Sequence, residues 1–494
     1  MPLKRVFRIL TRPKKWFIAT LYISLGSFLN GFDTGSIGSI TLMPAFEHSV
    51  ATLSPLLRGL TVSVLLLTAA VSSFFAGLVA ERFGHLHIVT LGGIVFTIGA
   101  AIETGAFCLP ALLVGRGLVG IGEGLYIPNL NVYVSEIAPR KKRGMMVAIP
   151  VSLFSIGTAA GYFTCYGSAR IVGDWQWRLP FLIQTLVGAV FSGAHWVLPR
   201  SPRWLIARSQ RQAARNSMKH LDFEEAEIAT NLDTTITNEG GEGEMLPPND
   251  ELTLTWRGIS ALFSKRYRFR TFLALFILGM VQLSGIDGVL YYAPTLFAQA
   301  GLHADTASFV ASGLSAILMS VISVPAFLFA DRWGRRSIFL TGGSVIAAAM
   351  LVIGSLYATG SVRAGSVGGW LVIVGIYIFA LAYVSTWAIV AKIYATEIHP
   401  AHIRATANAM AQAVHWLANF LVAFITPIFL ARSSSGPYFL FAGFTILTLI
   451  VLVLCMPETR GRSLESIEAE FIPPFEKLVR RKRPHVREEV VNVA

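Results

Sequence analysis

The residues of this sequence that could do chemistry are ionisable and polar side chains set inside otherwise apolar stretches. Asp33 stands in the run Gly31-Phe32-Asp33-Thr34-Gly35, and Arg116 precedes a series of glycines at 120, 122 and 124. A carboxylate away from water costs several kcal/mol unless it is paired or protonated, so an acid inside a spanning helix is a functional candidate by default. Counting about 1.5 Å per residue, Asp33 lies far along the first apolar stretch. Arg116 lies about two turns inside the outer end of the fourth. Their depths suit an ion pair, and protonating Asp33 would release Arg116 and shift which conformation is favoured. The alternative is a static pair, or an Arg116 that snorkels outward.

A second set lies in the seventh stretch, Gln282 to Tyr292, where Gln282, Asp287, Tyr291 and Tyr292 interrupt an apolar run that Gly285, Gly288 and Pro294 should break. Discontinuous helices of this kind line substrate cavities, because their freed backbone groups then face water or ligand.

The elements that must hold these residues follow from composition. Hydrophobic residues are 54% of the 494 and charged residues 14%, with a mean hydropathy of +0.60. Soluble domains carry about a quarter charged residues, so the expected class is an all-α membrane protein. Twelve stretches reach the span length of about 20 residues. They begin near Trp16, Leu60, Ile88, Ala111, Gly144, Arg178, Thr271, Ser308, Ile338, Trp370, Thr406 and Pro437. The first follows a basic cluster and is too long for a signal sequence, so it is kept as a span.

The chain also repeats itself. Glu136, Pro139 and Arg143 return in the same frame as Glu397, Pro400 and Arg404, and Glu81-Arg82-Phe83-Gly84 returns as Asp331-Arg332-Trp333-Gly334. A period of about 250 to 260 residues predicts two pseudo-symmetric six-helix bundles. The expected units are bundles at 1–198 and 271–470, a central polar segment at 199–270 with helical ends and a linker-like middle, and a basic tail at 471–494. The net charge of +13 would suggest nucleic acid in a soluble protein, but its placement reads as topology. Basic residues crowd one set of connections, including Arg140 to Arg143, Arg332, Arg335, Arg336, Arg404 and Arg480 to Arg483. The positive-inside rule makes that side, and both termini, cytoplasmic. Cys108, Cys165 and Cys455 lie in or beside apolar runs and predict neither a disulfide framework nor a metal site.

Taken in order, these motifs resemble the sugar-porter branch of the major facilitator superfamily. The matching residues add Ser201-Pro202-Arg203-Trp204-Leu205, Tyr291-Tyr292 and Pro457-Glu458-Thr459-Arg460-Gly461, and the resemblance runs from Trp16 to Glu468. It implies a twelve-helix carrier that works by alternating access, with proton-linked relatives holding Asp at the position of Asp33. It also implies an inner gate of charges at helix ends, made here of Arg82, Glu136, Arg143, Asp331, Arg332, Arg335, Arg336, Glu397, Arg404 and Glu458. The alternative for these charges is topology alone.

The resemblance also places the substrate site, at Asn30, Gln282, Asp287, Tyr291, Tyr292, Lys392, His415 and Trp416. Here the sequence departs from the family. By spacing, Val151 and Met319 stand where relatives carry sugar-binding amides, Lys392 stands for a Trp, and Asn30 for an aromatic. The cavity is therefore expected to have lost most of its amides and its aromatic face. Lys392 and His415 could receive a carboxylate, although counting along a straight helix puts Lys392 near the cytoplasmic end and Asp287 in the outer half. A snorkelling Lys392 and a packing His415 are the alternatives.

The expected function is a proton-coupled secondary transporter moving a small polyhydroxylated metabolite, such as a sugar acid or other hydroxy acid. A neutral-sugar or polyol symporter and a metabolite exporter are alternatives of the same class, and a non-transporting sugar sensor is one of another. No enzyme is expected, since no nucleophile, metal cluster or phosphate loop stands out. The expected partners are a small-molecule substrate and the lipid bilayer, not nucleic acid. The proton is the coupling ion with no further cofactor, and the expected state is a monomer in the plasma membrane.

Overall fold

The computed structural model describes residues 14–139, 142–229, 259–302, 305–330, 334–363, 365–399 and 401–458. Its regular elements are all helical, as a bilayer requires of a chain that must satisfy every backbone N–H and C=O internally. The first half holds α1 (Lys15–Ile23) and α2 (Leu25–Ile40), which together make the first crossing, and a short α3 (Pro44–Ser49). Crossings two to six are α4 (Pro55–Phe83), α5 (His85–Gly105), α6 (Leu109–Ile137), α7 (Arg143–Ser168) and α8 (Trp175–Ser192), followed by a short α9 (Ala194–Val197). The connecting segment contributes α10 (Pro202–Ala207) and α11 (Arg211–His220).

In the second half the seventh crossing is split into α12 (Arg268–Leu283), α13 (Ile286–Tyr291) and α14 (Ala293–Gln299). The eighth and ninth are α15 (Asp305–Ala330) and α16 (Arg335–Ala358). The tenth is split into α17 (Val367–Ser385) and α18 (Trp387–Glu397), and α19 (Ala401–Arg432) and α20 (Gly436–Cys455) complete the twelve. Nine helical stretches among the described residues are long and apolar enough to cross a membrane by length and composition. The first, fourth and eighth crossings stand outside that set, the eighth with a shorter apolar stretch at Val310–Ser323. The first and fourth carry Asp33 and Arg116, and neighbouring helices shield them: α2 is buried at every position from Gly31 to Ile40.

Two breaks decide where the functional residues end up. At Gly285 the backbone turns left-handed, φ +92°, a conformation that glycine adopts without steric cost; α12 stops there and α13 starts at a new angle. At Thr386, φ −126° and ψ −73°, α17 gives way to α18, and the Thr386 hydroxyl donates to Ala382 O at 2.6 Å. The first break follows from the sequence, and the second was not expected.

Each half has its own apolar core, and each lends residues to the other. Tyr162 and Ala159 of α7 pack into the second-half core, while Tyr291, Tyr292, Trp416 and Ala423 pack into the first-half core. Close helix contact relies on small residues: a Cβ on Gly31 or Gly35 of α2 would run into the carbonyls of Phe154 and Thr158 on α7.

The start of the connecting segment is tied to the first crossing. Trp16 N donates to Leu221 O at 3.2 Å, Lys15 N donates to Asp222 Oδ2 at 3.0 Å, and Lys14 Nζ lies 3.6 Å from Glu224. Beside it Lys219 Nζ meets Glu225 Oε1 at 2.9 Å, which holds that carboxyl below its ordinary range. Residues 230–258 and the tail from 459 onward, including the unit expected at 471–494, lie outside the described residues.

Candidate functional site

Asp33 of α2 and Arg116 of α6 meet in the first half. Arg116 Nη1 donates to Asp33 Oδ1 at 2.6 Å, Nε to Thr61 O at 3.1 Å, and Nη2 to Val62 O at 3.0 Å. Both side chains are almost wholly buried, Arg116 at 0% and Asp33 at 2% exposure. The two carbonyls of α4 fix the guanidinium plane, so the pair does not depend on Asp33 alone for its geometry. From α8, Gln184 Nε2 donates to Ser36 Oγ at 3.3 Å and to Asp33 Oδ1 at 3.4 Å.

Two further acids, Glu103 of α5 and Glu123 of α6, share this pocket at 0% and 1% exposure. Glu103 Oε1 is 3.8 Å from Arg116 Nη1, and Tyr126 OH donates to Glu123 Oε1 at 3.5 Å. Sequence reasoning missed Glu103, Glu123 and Gln184. The signal was present, since both glutamates interrupt apolar runs, but no motif drew attention to them.

Beside this cluster lies a cavity of about 160 Å³ between the two halves. Thr34 and Asn30 line it, one and three residues from Asp33. Gln282, Asp287, Tyr291, Lys392, His415 and Trp416 line it too. Tyr292 does not: its side chain turns away, and its hydroxyl donates to Ala423 O at 3.0 Å. Asp287 and Lys392 face the same space, contrary to the depths read from straight helices. The breaks at Gly285 and Thr386 are the reason, because they bend both residues away from where an unbroken helix would carry them.

Gln282 is already engaged. Its Oε1 accepts from Tyr383 OH at 2.9 Å and its Nε2 donates to Asp287 Oδ2, so the amide holds the carboxylate in place. Other groups await partners. His415 Nδ1, Trp416 Nε1 and Asn419 Oδ1 are buried without a hydrogen bond among the described residues, and all three side chains line the cavity. An unpaired buried polar atom costs about 1–3 kcal/mol, which a ligand would recover. Lys392 is solvent-exposed in the cavity and makes no ion pair or hydrogen bond among the described residues.

Val151 and Met319 line the cavity, as spacing placed them. The expected loss of amides and aromatic rings does not follow, because other positions supply them. Asn30, Asn131, Gln282, Gln412 and Asn419 carry amides, and Phe154, Tyr291, Tyr383 and Trp416 carry rings. Gln412, His415, Trp416 and Asn419 occupy one face of α19 at helical spacing, a pattern that His415 could have revealed.

The end of the cavity opposite Lys15 and Glu458, near which the described chain begins and ends, is closed by α13. Tyr162 OH of α7 donates to Leu290 O, and the Tyr291 carbonyl presses on Gly38 of α2, where a Cβ could not fit. At the terminal end, Glu458 caps α16: Oε1 accepts from Arg335 N at 2.7 Å and Oε2 from Arg336 N at 3.1 Å, while Arg336 Nη2 reaches Val453 O at 2.6 Å. A carboxylate at a helix N-terminus also meets the positive end of its dipole. Arg82 is exposed, its carbonyl accepting from Arg208 at 3.4 Å, and Glu136 Oε2 is buried without a hydrogen bond among the described residues. Asp331 and Arg332 lie outside the described residues, as do the side chains of Arg143, Glu397 and Arg404.

Comparison with known proteins adds four observations. A family model described as "Sugar (and other) transporter" matches residues 19–471. The chain is 29% identical over 457 residues to the glucose transporter GlcP of Staphylococcus epidermidis, covering 90% of this chain and 95% of that one. It is 28% identical over 484 residues to a probable quinate permease of Aspergillus fumigatus, covering 92% and 87%. Among solved structures, the inward-open xylose transporter XylE of E. coli superposes with a TM-score of 0.72 at 23% identity, over 92% of this chain and 100% of that one.

Proposed function

The chain belongs to the sugar transporter family, and from that premise we propose that it is a proton-coupled carrier of a polyhydroxylated acid, a sugar acid or cyclic hydroxy acid, working by alternating access. The observation that carries this reading is Lys392, a cation with no fixed partner among the described residues, facing the cavity with the unpaired Nδ1 of His415. A carboxylate would meet Lys392, while hydroxyls would find Asn30, Asn419 and the indole N–H of Trp416. Asp33 would take the coupled proton beside the cavity, and Arg116 would respond to the loss of its partner. On this reading the termini face the cytoplasm, which the basic connections favour, and the carrier acts as a monomer in the plasma membrane.

Five amides and four aromatic rings also favour a second reading, a symporter of a neutral sugar or polyol. Uptake of labelled gluconate and labelled glucose into proteoliposomes, with and without an inward proton gradient, separates the two. Gradient-driven gluconate uptake that falls at least tenfold in Lys392→Trp is expected. Gradient-driven uptake of glucose alone would assign the neutral substrate, and uptake of either that ignores the gradient would remove the proton coupling.

A further inference from the structure

Glu103 is a buried ionisable group that this scheme leaves without a task. It lies in the last turn of α5, whose end at Gly105 is on the side away from Lys15 and Glu458. It is 0% exposed, and neither carboxyl oxygen has a hydrogen-bond donor among the described residues. Its cation is Arg116 Nη1 at 3.8 Å, the same nitrogen that donates to Asp33 at 2.6 Å. The position is built for it: a Cβ on Gly115 of α6 would stand 2.7 Å from Glu103 Cγ.

The other ionisable groups of the cluster are Asp33 on α2, Glu123 and Tyr126 on α6, and Tyr291 on α13. On α8, Arg178 binds Thr104 O at 2.7 Å and pairs with Asp174 at 3.4 Å. Arg116 is thus the cation held among three buried carboxyl groups. One guanidinium balances one carboxylate, and each further ionised acid in a dry pocket costs several kcal/mol. Carboxyl groups that share a site therefore divide their protons unequally. Arg116 Nη1 stands 2.6 Å from Asp33 and 3.8 Å from Glu103, so Asp33 has first claim on the guanidinium.

We infer that Glu103 and Asp33 are two stations of one proton path, with Arg116 changing partners between them. This rests on the proton-coupled reading above. In the step, the O–H bond of Glu103 breaks and an O–H bond forms on Asp33, while Arg116 Nη1 leaves Asp33 for the new Glu103 carboxylate. Charge is unchanged. Asp33, next to cavity-lining Thr34, then releases the proton to cavity water, and Glu103 takes another from the opposite face.

Infrared difference spectra of purified full-length protein test the exchange without any substrate. Wild type minus Glu103→Gln at neutral pH is expected to show one protonated-carboxyl C=O band that shifts in D2O. Asp33→Asn minus the double variant Asp33→Asn/Glu103→Gln is expected to show carboxylate bands instead, because Glu103 has become the partner of Arg116. A protonated band in both differences, or carboxylate bands in both, overturns the proposal. Should Glu103→Gln fail to give monodisperse protein, Glu103→Asp replaces it, and the same change from protonated band to carboxylate on adding Asp33→Asn is required. The proteoliposome fluxes, not these spectra, decide whether transport is proton-coupled, so the two failures are distinct.

Discussion

At the scale of single residues, the charge cluster is where a small change should have the largest effect. Arg116 holds Asp33 and two α4 carbonyls with three donors. Removing one partner of a buried pair costs about 3–5 kcal/mol, because the other is left without compensation. Arg116→Leu is therefore expected to lower the thermal midpoint of the detergent-solubilised protein by well over the shift of a surface substitution, with loss of gradient-driven flux. An unchanged midpoint would mean that Asp33 is held by Gln184 and by a proton rather than by Arg116. Asp33 and Arg116 were legible in the sequence because charges are rare in spanning helices and their depths agree. Lys392 was legible as a misplaced cation, but not its height, since nothing in Ser385-Thr386-Trp387 announces a break to a reader counting at 3.6 residues per turn. Tyr292 shows the converse: its neighbour Tyr291 faces the cavity, and adjacent helical positions point about 100° apart.

At the scale of elements, α13 is the part that closes the cavity. Its six residues lie between the left-handed Gly285 and the kink before Pro294, and its carbonyls meet α2 and α7. Gly38→Val should disfavour this closed arrangement, because the added side chain occupies the place of the Tyr291 carbonyl. With Cys108, Cys165 and Cys455 replaced by serine and a cysteine at Asn30, an impermeant maleimide should label the cavity mainly from the terminal end. Adding Gly38→Val should raise labelling from the opposite end several-fold; equal labelling with and without it would place the seal elsewhere. The broken seventh crossing was visible in its glycines and proline. The split tenth was not, because its apolar residues run on across the join from Tyr383-Val384 to Trp387-Ala388-Ile389-Val390 and the join is a Thr, a residue that helices tolerate.

At the scale of the whole molecule, twelve crossings in two halves follow from apolar length and from the repeat of Glu, Pro and Arg about 260 residues apart. What the repeat could not give is how the halves interlock, since that depends on contacts between residues distant in sequence. Tyr162 of the first half sits in the second core, and Trp416 of the second sits in the first. Orientation is testable directly: a cysteine at exposed Ser209, at the end of α10, should react with an impermeant reagent in inside-out vesicles and not in intact cells. Reaction in intact cells alone would reverse the topology drawn from the basic connections.

The same short helix that closes the far end also lines the cavity, through Ile286, Asp287, Leu290 and Tyr291. Pharmacologically, door and binding surface are one part, so size selects between cargo and blocker. A compound that keeps the recognised head group but carries a bulky tail toward Tyr291 would wedge the door ajar. It would then compete for the site from the far side without crossing, as an inhibitor rather than a slow substrate.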